Sequence, residues 1–140
     1  MPIVNQSALV PYSAEQMYQL VNQYEKYPEF LSGCVSTKTL STGENELKAE
    51  LHIQKLGISQ TFSTHNKMTP PYKIEMALIE GPFRHLHGAW TFTPFDEQSC
   101  KIALQLNFEF SSPIVAMVFN ELTLKMVNAF KQRAKEVYGV

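Results

Sequence analysis

Between Ile102 and Phe110 every second residue is large and apolar: Ile102, Leu104, Leu106, Phe108 and Phe110 alternate with Lys101, Ala103, Gln105, Asn107 and Glu109. Successive side chains of a strand point to opposite faces, so this run predicts a strand with one buried and one wet face. The same period of two governs most of the stretch from Cys34 to Phe110. Leu47, Ala49, Leu51 and Ile53 alternate with Lys48, Glu50, His52 and Gln54, and Ile58 and Phe62 oppose Ser59, Thr61, Ser63 and His65. Ile74, Met76 and Leu78 mark a further strand, and Leu86, Gly88, Trp90 and Phe92 another. Strands that are apolar on one side only make an antiparallel sheet, and its apolar face has to be covered by another layer.

The cover is at the C-terminal end. Ser112 suits an N-cap and Pro113 the first helical position, where its missing amide costs nothing. Residues 114–138 read as one long helix, with Val115, Phe119, Leu122, Met126, Phe130 and Val137 near one side and Lys125, Lys131, Arg133 and Lys135 largely on others. At the other end, Ile3–Val10 reads as a strand stopped by Pro11. Ser13 and Gln16 then form a capping box ahead of a helical stripe of Met17, Leu20 and Val21. Pro28 ends or redirects any helix begun at Tyr24–Tyr27, and a second short helix is expected through Phe30 and Leu31. The fold class is α+β: a curved antiparallel sheet of about seven strands around a long C-terminal helix, with two short helices after the first strand. Residues 1–140 are expected to form a single domain, since domains commonly run ~100–150 residues.

Turns set the expected register. A two-residue turn at Leu56-Gly57 places Leu51 opposite Phe62 on the apolar face. A three-residue loop at Gly81-Pro82-Phe83 keeps the next two apolar sets on that same face. It also puts Glu80 across from Arg84, an ion pair expected near one end of the sheet on the side of Trp90.

Several classes of function fall away. Twelve basic and 13 acidic residues leave a net charge of −1, without the positive field that general nucleic-acid binding needs, so no DNA partner is expected. Cys34 and Cys100 form no metal-type spacing and read as small buried hydrophobes in a reducing compartment. No secretory signal is evident and no ~18-residue apolar run occurs, so the cytoplasm is the expected location. His52, His65, His85 and His87 all fall on the parity opposite their strands' apolar residues, which leaves the interior without an imidazole for acid–base chemistry. His85 and His87 could hold a metal edge-on, but with no third ligand evident they read as exposed strand histidines, and no metal is expected. There is no nucleophile constellation and no glycine-rich phosphate loop. The inward polar residues reduce to Thr64, Asn66, Glu80 and Arg84, which suit orienting a carbonyl or closing an entrance better than transferring a proton.

Residues Ala8–Val21, Tyr27–Cys34, Gly81–Arg84 with Gly88-Ala89-Trp90, Phe108-Glu109-Phe110 and Arg133–Tyr138 resemble the coenzyme-Q-binding START-like family, within the polyketide cyclase/dehydratase superfamily. The likeness is greatest to its bacterial ribosome-association toxin branch and spans essentially the whole chain. One departure is that Ala116–Leu122 passes through without the Phe-Gly-containing segment usual early in the last helix of the family.

The resemblance implies a helix-grip fold with an apolar cavity between sheet and C-terminal helix, and non-catalytic binding of an isoprenoid quinone such as ubiquinone in support of respiration. Candidate wall residues are Leu51, Phe62, Met76, Trp90, Phe92, Leu106 and Phe108 from the sheet, with Phe119, Leu122 and Met126 from the helix. Glu80, Arg84 and Asn66 are candidate polar groups at the cavity end. Singly, ordinary core packing is the better explanation of each apolar residue. No resident cofactor is expected, ubiquinone being a ligand. The apolar Ile114–Phe119 stretch suits transient contact with a membrane surface. The same resemblance implies an alternative, a toxin that binds the large ribosomal subunit and blocks subunit joining. A second alternative is a polyketide cyclase/dehydratase-like enzyme.

Overall fold

A computed structural model of the chain describes all residues except 1, 2, 32, 56, 82, 111 and 140. Its strands are β1 (Ile3–Val10), β2 (Cys34–Gly43), β3 (Glu46–Lys55), β4 (Ile58–Thr69), β5 (Lys73–Glu80), β6 (Phe83–Pro94) and β7 (Cys100–Phe110). They form one antiparallel sheet in the order β1-β7-β6-β5-β4-β3-β2. Register shifts interrupt β2 at Cys34/Ser36 and Thr39/Ser41, β5 at Leu78/Glu80 and β6 at Phe83/His85. Each extra residue bends its strand and increases the local twist, which curls the sheet around its apolar face.

The alternation holds where it is clearest. Ile102, Leu104 and Phe108 are fully buried and Leu106 nearly so, while Lys101 and Gln105 are exposed. Leu51 pairs with Phe62 and Lys55 with Ile58 around Gly57, whose φ of 81° is one that glycine adopts freely. Leu56 of that turn lies outside the described residues.

Helix α1 (Ala14–Asn22) carries the expected capping box: the Gln16 amide donates to Ser13 Oγ at 3.1 Å and the Ser13 amide to Gln16 Oε1 at 2.9 Å. The second short helix differs from expectation. It is a 310 helix over Tyr24–Glu29 with Pro28 inside it, and Phe30 and Leu31 follow it. A short 310 run has no i→i−4 ladder for the proline ring to break, so Pro28 is accommodated one residue before the run ends.

The long C-terminal helix is broken in two, α2 (Pro113–Leu124) and α3 (Met126–Tyr138). Buried Thr123 supplies a cause. Its hydroxyl lies 3.0 Å from the carbonyl of Phe119 and 3.1 Å from that of Asn120, the back-bonding that loosens a helical ladder and bends it. The Lys125 amide then closes a tighter turn onto Leu122 and Thr123. The inward stripe of α3 runs Phe130, Ala134, Tyr138, so Val137, expected inward, is 51% exposed.

Two phenylalanines dock these helices. Phe119 of α2 meets Phe62, Phe108 and Phe110 at ring separations of 5.8, 5.0 and 5.2 Å. Phe130 of α3 meets Tyr27, Phe30 and Trp90 at 5.3, 5.2 and 5.1 Å, all nearly edge-on, the geometry that aromatic quadrupoles favour.

Gly88 lets β6 approach β7: a Cβ there would lie 2.1 Å from the Gln105 carbonyl oxygen and 2.9 Å from Leu106 Cα. Backbone cannot yield as a flexible side chain would, so Gly88→Ala is expected to destabilise the fold by about 2 kcal/mol or more, measured by urea unfolding.

Candidate functional site: an apolar cavity beneath the helix break

Between the two aromatic clusters the interior is incompletely filled. A cavity of about 70 Å³ lies under the α2–α3 break, where one water needs ~10–15 Å³. Its walls come from β3 (Ala49, Leu51, Ile53), β4 (Phe62, Thr64, Asn66), β5 (Met76), β6 (Leu86, Trp90), β7 (Leu104, Leu106), the helices (Phe119, Leu122, Thr123, Met126) and the 310 region (Tyr24, Tyr27, Leu31).

Of the residues expected from sequence, Leu51, Phe62, Met76, Trp90, Leu106, Phe119, Leu122, Met126 and Asn66 come together there. Phe92 and Phe108 do not. Both point inward but lie beyond the cavity: Phe92 packs edge-on against Tyr18 of α1 and stacks beside Trp90, while Phe108 packs on Phe119. Parity places a side chain on a face and leaves open which helix covers it.

Glu80 and Arg84 are also misplaced by the sequence reading. Both are exposed and make no ion pair among the described residues. The β5–β6 ladder keeps the expected register from Lys73↔Thr91 to Ala77↔His87, but β5 bulges at Ile79, so that Thr64 faces Leu78 while Ser63 faces Glu80, and Arg84 is itself the extra residue of β6 between Phe83 and His85. The bulge takes Glu80 out of the alternation on which the pairing rested. Pro82 of the connecting loop lies outside the described residues.

Tyr24, Tyr27 and Thr123 were not anticipated as walls. The signal for Thr123 was present: it sits with Phe119, Met126 and Phe130 on one helical stripe, where a lone hydroxyl among large apolar residues is conspicuous.

The cavity's polar atoms are mostly committed elsewhere. The Tyr24 hydroxyl bonds Thr39 Oγ1, and that of Tyr27 donates to the Val21 carbonyl. Thr123 is turned onto its own helix. Thr64 donates to Asn66 Oδ1 at 2.9 Å, which leaves the Asn66 amide nitrogen without a partner among the described residues. Among the described residues, no histidine, carboxylate, lysine or arginine lines the walls. Tyrosine is the only ionisable type there, and burial pushes the Tyr27 hydroxyl far above its ordinary value, with the Cys34 charge adding to the rise.

The architecture is that of a START-like, helix-grip domain. A family model described as polyketide cyclase / dehydrase and lipid transport matches residues 10–135, and the chain belongs to that family. It is 51% identical over 140 residues to the ribosome association toxin RatA of Vibrio cholerae, with 97% of each chain covered. It is 27% identical over 143 residues to a mitochondrial coenzyme Q-binding protein homologue of Xenopus laevis, covering 96% of this chain and 59% of that one. The solved structure of the Zhui aromatase/cyclase from a Streptomyces species superposes with a TM-score of 0.86 over 96% of this chain and 94% of that one, at 15% identity, a likeness of fold alone.

Such walls can enclose an apolar body and offer one amide. Outside them, Cys34 and Cys100 are free and buried, and desolvation pushes each thiol up to about 11. At pH 8 a thiol of that pKa is about 0.1% thiolate. Both cysteines are therefore expected to react with a maleimide-type or disulfide reagent about a hundredfold or more slower in the folded protein than after unfolding. Rapid titration of either thiol in native buffer would show that its burial is misjudged.

Proposed function

We propose that this protein binds a hydrophobic ligand of the isoprenoid-quinone class in the cavity under the helix break, and holds it without transforming it, in support of respiration. One observation carries this reading: the walls are apolar and aromatic, with one unspent amide and no acid–base group apart from two tyrosines whose hydroxyls are already bonded. A carrier requires that composition, whereas a cyclase or dehydratase requires a positioned proton donor or base. The name of the Xenopus laevis relative supports the same ligand class.

A ligand of that size exceeds 70 Å³, so the walls have to yield. Met76 and Met126, both half-buried, flank the space, and unbranched thioethers re-pack at little cost. Ile114, Met117 and Leu124, exposed by 59, 59 and 47%, lie on the outer side of α2, which suits collection of ligand at a membrane surface. No described helix is long and apolar enough to cross a bilayer.

Ribosome association is the second reading, favoured by the name of the 51%-identical relative. The basic residues of the last helix offer it limited support. Arg133 is 19% exposed, bonded to Glu29 at 2.7 Å and stacked 5.0 Å from the Phe30 ring, and Lys125 pairs with Glu121 at 3.2 Å. Of the four basic residues read on the other sides of the last helix, Lys125, Lys131, Arg133 and Lys135, these two are engaged by carboxylates.

Trp90 is the single tryptophan and lines the cavity, so its fluorescence reports occupancy directly. Titration with a short-tailed ubiquinone is expected to quench it saturably, and native mass spectrometry of gently purified protein is expected to retain a quinone. Absence of both, together with co-sedimentation of ligand-free protein with large ribosomal subunits, would reverse the order of the two readings.

A further inference from the structure

Asn66 is the cavity residue whose polarity the fold leaves unspent. It sits on β4, opposite Met76 of β5, which in turn faces Gly88 of β6 and then Leu106 of β7. This inward row lies one step from the row that runs Met68, Ile74, Trp90 and Leu104. A flat ring resting over Met76, beside Trp90, therefore brings its edge to Asn66.

The state of that amide is set by its neighbour. Thr64 is 5% exposed, and its hydroxyl donates to Asn66 Oδ1 at 2.9 Å. One lone pair of the amide oxygen is thus engaged and its position fixed, and the –NH₂ end, a donor only, is left over. The Tyr27 hydroxyl donates to the Val21 carbonyl and that of Tyr24 is paired with Thr39 Oγ1, so both are held by partners outside the cavity.

We propose that the Thr64–Asn66 pair makes the cavity selective for the oxidation state of its ligand, favouring a carbonyl-bearing quinone over the quinol. Reduction of a quinone by two electrons and two protons turns both carbonyl oxygens into hydroxyls. A carbonyl oxygen accepts the Asn66 N–H with both lone pairs free. A phenolic hydroxyl is a weaker acceptor and brings a donor that can reach Asn66 only at the second lone pair of an oxygen already taking the Thr64 hydrogen. An unsubstituted acyl chain satisfies nothing and leaves the amide desolvated. This inference rests on the quinone-carrier reading and assigns its selectivity to two named residues.

The test is calorimetric titration of a short-tailed ubiquinone and, under anaerobic reducing conditions, of its quinol, into the wild type, Asn66→Leu and Thr64→Val. The wild type is expected to prefer the quinone about five- to tenfold, the worth of one hydrogen bond. Asn66→Leu is expected to abolish the preference by weakening quinone binding while leaving quinol binding nearly unchanged. Thr64→Val, which frees the amide to rotate, is expected to reduce the preference and keeps the proposal testable if the Leu variant does not fold. A wild type that binds both forms equally, or a preference that survives both substitutions, overturns the proposal and leaves the carrier reading standing. A wild type that binds neither form overturns both.

Discussion

A sheet that is apolar on one side only cannot exist alone, and every other feature of this molecule follows from how that side is covered. Phe119 and Phe130 do most of the covering, each as the centre of a cluster of three other rings. Burial of such a ring contributes about 1.5–3 kcal/mol. Because Thr123 bends the helix between them, the two phenylalanines press on different parts of the sheet. The space beneath the bend is left partly empty, so the cavity is a consequence of two good contacts separated by a break.

The polar atoms around that space show how the fold limits its chemistry. Tyrosine and threonine hydroxyls are available by composition, yet Val21, Phe119 and Asn66 accept those of Tyr27, Thr123 and Thr64, and the Tyr24 hydroxyl is paired with that of Thr39. A buried hydroxyl without a partner is costly, so the fold turns these groups onto protein acceptors. What remains is an apolar volume with one amide at its side, suited to recognition of an oxygen and poorly suited to moving a proton. The 310 helix that supplies Tyr24 and Tyr27 is itself clamped to α3, where Arg133 bonds Glu29 and holds its carboxyl below the usual range.

Strand by strand, the period-two pattern anticipated the sheet, its apolar face, and the register around Gly57 and from Lys73 to Ala77, because alternation is a local property of a chain. With Phe119, Leu122 and Met126 supplied by the helical stripe, the same parity put the other six of the nine expected residues on the cavity walls. It failed for Phe92 and Phe108, whose direction was right, because distance from the cavity depends on which helix lies overhead. It failed for Glu80 and Arg84 because the extra residues of the two strands, Ile79 in β5 and Arg84 in β6, are invisible to a parity count.

The order of residues alone therefore settled the class of fold, the inward faces of most strands and the absence of histidine from the walls, all of which are written in spacings of two or in residue identity. Assembly in three dimensions decided the rest. The helix breaks at Thr123 because a buried hydroxyl takes carbonyls that the helical ladder would otherwise use. Asn66 keeps a free donor because Thr64, two residues away on the same face, engages its oxygen, and the other hydroxyls are bonded beyond the cavity. Which polar atoms are spent and which remain is a matter of hydrogen-bond partners, and those exist only once distant segments have met.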